Sequence, residues 1–131
     1  MTEPIENQNF NSDKVDEPGD SQNYSRPDLT YLTELANGDE IFIKEIITYF
    51  VENSSEILHS ITESALSGDY KKLRFEVHTL LPQLTFVGIL EAIPYFEKIE
   101  RSDKLYDSIF VELETAIKII NCGIRDLQKM N

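Results

Sequence analysis

Two histidines and one cysteine are the natural nucleophiles of this 131-residue chain. His59 follows Leu58 among Ser, Thr and Glu residues and has no partner nearby in sequence, so it reads as an ordinary surface residue. Cys122 stands alone, which excludes an internal disulfide and a cysteine-based zinc site. His78 is different. At about 100° per residue it lies roughly 130° from the centre of the apolar stripe of its predicted helix, so its imidazole points outward. An outward, neutral imidazole is a nucleophile or proton acceptor within reach of a partner.

The surroundings of His78 are apolar where an outward helix face should be polar. Phe75, Pro82 and Phe86 project to the same side, Arg74 sits four residues before the histidine, and Lys71 lies about one turn further back. Such a patch marks a protein–protein site, or is covered by another segment of the same chain, such as a leading helix or tail. Pro82 removes the amide that would donate to the His78 carbonyl, at a cost of about 3 kcal/mol in an ordinary helix interior. A partner or water at that carbonyl, or a helix that ends early, accounts for it equally. The chain has no glycine-rich phosphate loop, no zinc-spaced His/Cys cluster and no GxSxG.

The elements that must carry His78 are helical, because apolar residues from Asp28 onward recur at spacings of three and four. A short helix is expected over Asp28 to Ala36, stopped by Asn37-Gly38. A second runs from an Asp39 cap to about Asn53, and Ser54-Ser55 open a third that ends at Ser67-Gly68. Asp69 then caps a long helix with Tyr70, Leu73, Val77, Leu80, Leu84 and Val87 on one side, ended or bent at Gly88. A segment over about Leu90 to Glu100, in which Pro94 marks a bend, and a last helix over about Leu105 to Lys129 follow. The expectation is an all-α fold: an antiparallel up-and-down bundle of four main helices behind a short leading helix.

Residues 1 to 27 carry six acids, two bases and three of the five prolines, and read as a disordered acidic tail before a bundle spanning 28 to 131. The net charge of −12 repels phosphate backbones and anionic membranes, and eighteen acids against ten bases remain without the tail, so nucleic acid and membrane are not expected as partners. No apolar run approaches the roughly 20 residues of a membrane span and no signal sequence is visible. Together with the lone cysteine this predicts a soluble, cytoplasmic protein.

The stretch His78-Thr79-Leu80-Leu81-Pro82-Gln83-Leu84-Thr85-Phe86-Val87-Gly88 resembles the phosphoacceptor motif of histidine-containing phosphotransfer (HPt) domains, His-x-Leu-Lys-Gly with a glycine ten residues after the histidine. His78, Leu80 and Gly88 match. Gly38-Asp39-x-x-Phe42, continuing to Phe50, resembles the start of such domains, so the likeness covers about residues 28 to 129. It implies a four-helix bundle with a short leading helix and a phosphoryl carrier rather than an enzyme, with His78 as phosphoacceptor. The implied partner is a response-regulator receiver domain or a hybrid histidine kinase, docked over Phe75, Pro82, Phe86, Lys71, Leu81 and Gly88. No cofactor of its own is implied, Mg2+ being expected only on the receiver, and the carrier is expected to be a monomer. Leu81 replaces the family lysine that faces the phosphoryl group, and Arg74, with Lys71 behind it, is a substitute cation. Proline at 82 resembles a variant form of the motif. Family spacing makes Glu100, with Glu97 one turn earlier, the candidate carboxylate on His78 Nδ1; both are otherwise ordinary surface charges of an acidic protein. Two other readings stay open: an HPt-like adaptor or inhibitor that carries no phosphate, and a structural bundle whose own chain covers the patch.

Overall fold

The computed structural model describes residues 24 to 102 and 106 to 130. Among them the regular structure is helical: α1 (Thr30–Leu35), α2 (Glu40–Ser67), α3 (Tyr70–Val87), a 3-10 turn (Leu90–Ala92) leading into α4 (Ile93–Arg101), and α5 (Ile109–Met130). α2 packs on α3, α3 on α4, α4 on α5 and α5 on α2, while α1 lies against α3. One core cluster joins them, with Leu32, Ile61, Leu73, Leu80, Leu84, Phe96, Ile99 and Ile120 fully buried. Burial of each such side chain contributes about 1.5–3 kcal/mol, which is what holds short amphipathic helices of modest intrinsic stability in place.

The turns follow from their residues. The Asp28 carboxylate accepts the Thr30 amide at 3.0 Å at the entry to α1, and these Thr30 bonds hold its carboxyl below the usual value. Asn37 and Gly38 take positive φ after α1, and the Asp39 carboxylate then caps α2 by accepting the Ile41 and Phe42 amides. Gly68 closes α2 in the left-handed conformation, and Asp69 caps α3 through the Lys72 amide.

α2 is one continuous helix of 28 residues, not two helices meeting at Ser54-Ser55. The reason lies at Ser54, which is buried within the stripe Ile47, Phe50, Ser54, Leu58, Ile61 and Ala65 and satisfies its hydroxyl on the Val51 carbonyl of its own helix. A serine that bonds backward to its own helix carries the stripe on instead of starting a new turn.

Gly88 ends α3 rather than bending it. Its φ is +73°, its carbonyl accepts the Asp28 amide at 3.0 Å, and a Cβ there would stand 1.9 Å from the Asp28 carbonyl oxygen. Pro94 lies in the first turn of α4, just after the 3-10 turn, where a missing amide hydrogen costs no helix bond. Residues 1 to 23 of the expected tail, and Leu105, the expected start of the last helix, lie outside the described residues. The described end of that tail packs on the domain: Tyr24 touches the core, Pro27 is buried, and the Ser25 amide donates to Glu91 Oε1. Among the described residues, no helix is long and apolar enough to cross a membrane.

Candidate functional site

α3 presents Leu73, Val77, Leu80, Leu84 and Val87 to the core, and this rotation turns His78 outward. Its side chain is 73% exposed. Nδ1 is hydrogen-bonded to Glu100 Oε2, from near the C-terminal end of α4. A carboxylate accepts and cannot donate, so in the neutral ring this bond places the proton on Nδ1 and the lone pair on Nε2. Glu97, one turn earlier on α4, is exposed, and it is Glu100 that reaches the ring.

Arg74 stands one turn before His78 and is exposed. Its Nε–H donates to the backbone carbonyl of Glu100 at 3.0 Å, and its guanidinium lies 5.9 Å from the centre of the Tyr70 ring. The guanidinium is thus anchored by one edge beside the His78–Glu100 pair. Lys71 is exposed on the same helix. Leu81 is partly buried and packs against the core, so it adds little to the outer surface.

The apolar face divides into two. Phe75 is 69% exposed and Pro82 is exposed, leaving an apolar surface on either side of the histidine. Beside Phe75 a shallow groove is lined by Ile57, Ser60, Glu76 and Thr79. Phe86 is different from the expectation: it is half-buried, with its ring stacked on Tyr31 of α1 at 5.8 Å between centroids. Gly88 also departs from the expected docking surface, because it is buried where the chain crosses it at Asp28. The chain's own leading segment covers that end of the patch and leaves the His78 end open.

Two features escaped sequence reasoning. Glu76 sits between α2 and α3 and accepts the hydroxyls of Ser60 and Ser64, the latter at 2.7 Å, which locks the two helices two residues before His78. On the other side Glu112 of α5 accepts Lys98 Nζ at 2.7 Å, the Tyr106 hydroxyl at 2.7 Å and the Ser108 hydroxyl, fastening α4 to α5. Burial, reinforced by the Glu112 carboxylate, pushes the Tyr106 hydroxyl well above its usual pKa. Burial works to raise Glu112, but the bonds from Lys98 and Tyr106 win and hold it below the usual value. No sequence pattern announces the contacts between helices in either cluster, because Ser60 and Ser64 lie 16 and 12 residues from Glu76, and Lys98 lies 14 from Glu112.

No group of three or more metal-ligating side chains forms among the described residues. The chain matches no known protein family, no curated protein and no solved structure.

Proposed function

We propose that this protein is a phosphocarrier of a two-component phosphorelay, an antiparallel four-helix bundle that accepts a phosphoryl group on His78 from a response-regulator receiver domain and donates it to another. The observation that carries this reading is the exposed imidazole whose Nδ1 is held by Glu100 while Nε2 stays open to a partner. The Nε2 lone pair attacks the phosphorus of a receiver aspartyl phosphate, the N–P bond forms, and the P–O bond to the aspartyl carboxylate breaks, returning that carboxylate to the receiver. The ring gains positive charge as the bond forms, and the Glu100 carboxylate bound to Nδ1–H balances it. The receiver supplies the Mg2+ and the groups around its own phosphate. Arg74, and Lys71 behind it, supply cationic charge on the carrier side. Exposed Phe75 and Pro82 give the receiver an apolar surface to dock against. The setting is cytoplasmic and the carrier acts as a monomer.

A second reading, an adaptor or inhibitor that binds a receiver or kinase without carrying phosphate, is favoured by one observation: Leu81 packs inward where the family has a lysine. One experiment separates the two. Incubation with phosphorylated receivers labels the wild type with an acid-labile, base-stable phosphate and leaves His78→Gln unlabelled, while Glu100→Ala labels about 10–100-fold more slowly. Binding without label by any receiver of the host supports the adaptor, and equal labelling of His78→Gln overturns the carrier.

A further inference from the structure

α4 ends in a way that leaves its last carbonyls to be satisfied by others. Ser102 follows the helix in an extended conformation, with φ −78° and ψ 149°, and no left-handed residue there folds the next amides back over the helix end. The carbonyls are instead taken one at a time. The Ser102 hydroxyl donates to Lys98 and the Ser102 amide to Ile99. Among the described residues the further bonds to this end come from α3: the Tyr70 hydroxyl lies 2.6 Å from the Ile99 carbonyl and 2.5 Å from that of Ser102, and Arg74 Nε–H meets the Glu100 carbonyl at 3.0 Å. Tyr70, Arg74 and His78 follow one another at intervals of four along α3, so a single helix edge holds the end of α4 and presents the imidazole to it.

We infer that Tyr70 and Arg74 are positioning residues which, by binding the carbonyls at the end of α4 from outside that helix, fix the Glu100 carboxylate on His78 Nδ1 and thereby set the imidazole tautomer. Neither side chain needs to touch the reacting atoms. The Glu100 side chain starts from a backbone whose own carbonyl is gripped by Arg74, and the single Tyr70 hydroxyl proton is shared between the carbonyls of Ile99, just before it, and Ser102, two residues after it, so the carboxylate is delivered to one place. With the clamp open, the end of α4 is free to fray, the carboxylate leaves Nδ1, and the ring reverts to the mixture of tautomers of an exposed histidine. For Arg74 this role is separate from that of a cation for phosphate, and it concerns the unphosphorylated protein. The inference uses the geometry on which the carrier reading rests, but its test involves no phosphate.

The test is the 15N chemical shifts of the two imidazoles in the full chain at a pH where both are neutral, with exposed His59 as an internal reference. In wild type His78 reads predominantly as the Nδ1–H tautomer and His59 as a mixture. Tyr70→Phe and Arg74→Ala each lower the Nδ1–H fraction at His78, and the double variant brings it to the His59 ratio. Arg74→Gln decides between hydrogen bond and charge, since the glutamine amide nitrogen stands the same number of bonds from the backbone as Arg Nε and donates without a charge. It retains the Nδ1–H signature. If Tyr70→Phe fails to fold, the comparison of Arg74→Ala with Arg74→Gln at this exposed position remains decisive. An unchanged His78 tautomer in folded Arg74→Ala, or equal loss in Arg74→Ala and Arg74→Gln, overturns the inference. Labelling of His78 by a receiver while the tautomer is indifferent to these variants leaves the carrier reading standing and removes only the clamp.

Discussion

The ring of Tyr31 in the leading helix lies over Phe86 with 25° between their planes, so one of the two outward phenylalanines of α3 is already occupied by the chain itself. Phe75, eleven residues earlier, has no such cover among the described residues and is 69% exposed. The same residue type on the same helix is therefore covered at one position and exposed at the other, and substitution should tell them apart.

Phe75→Asp is expected to weaken receiver binding by more than about 1 kcal/mol, as an aromatic anchor at an interface does, with the helical circular dichroism and melting temperature nearly unchanged. Phe86→Ala should behave in the opposite way: a lower melting temperature, about 4–8 °C for each kcal/mol lost in a domain of this size, and little change in affinity. Calorimetric titration and thermal melts of the two variants give the comparison. A Phe75→Asp protein that unfolds would place that ring in the core.

Leu81→Lys tests the missing cation. The leucine is partly buried against the core, and a lysine there can bury its methylene stem and extend its ammonium to the surface. In an Arg74→Ala background, where phosphohistidine lifetime should shorten, Leu81→Lys is expected to restore part of it. Retention of phosphate by Arg74→Ala at the wild-type level would move the cationic role to Lys71 or to the partner.

The Glu112 cluster predicts a pH dependence of stability. Its carboxyl is held below the ordinary value in the folded state, so the stabilisation is complete above the unfolded carboxyl pKa of roughly 4.3. It is lost as the pH falls through the lower folded value. Glu112→Gln should therefore melt below wild type at pH 7, and the gap should shrink as the pH drops below about 4. A gap that persists unchanged at low pH would mean that packing, not charge, holds α4 to α5.

Gly88→Ala is expected to cost more than about 1 kcal/mol. Two penalties act together: a positive φ that alanine resists, and a methyl 1.9 Å from the Asp28 carbonyl oxygen. Because the backbone at Asp28 leads directly into α1, the shift should also release Tyr31 from Phe86, visible as a rise in tyrosine accessibility in solvent-perturbation spectra.

What could be read from the sequence was whatever is decided within a few residues. The stripe from Leu73 to Val87 fixes which side of α3 is buried, and its outward complement contains His78. Asp39, Asp69, Gly38, Gly68 and Gly88 all stand at the helix ends they signal. Ser54 misled because serine is a good cap and a tolerable interior residue, and only its surroundings decide between them. Glu100 was reached through the spacing of a resemblance, and the structure brings it to His78. Glu76 with Ser60 and Ser64, Tyr70 with the end of α4, and Tyr31 with Phe86 were not legible: each pairs residues between 12 and 55 positions apart, and no local period encodes such a meeting.

Nine residues make α4 shorter than the roughly 12–15 at which an isolated helix begins to hold in water. Its order is lent by its neighbours: Phe96 and Ile99 tie it into the core, and only its last turn, beyond Ile99, can open before the core does. Glu100 rides on that part and His78 does not. The free energy that keeps the pair together is then that of fraying at the end of α4, a smaller quantity than the global stability and free to vary separately from it. A variant can keep its melting temperature while its histidine spends much of its time without its carboxylate. Amide exchange along α4, rather than the thermal midpoint, is the measure of how often the site is assembled.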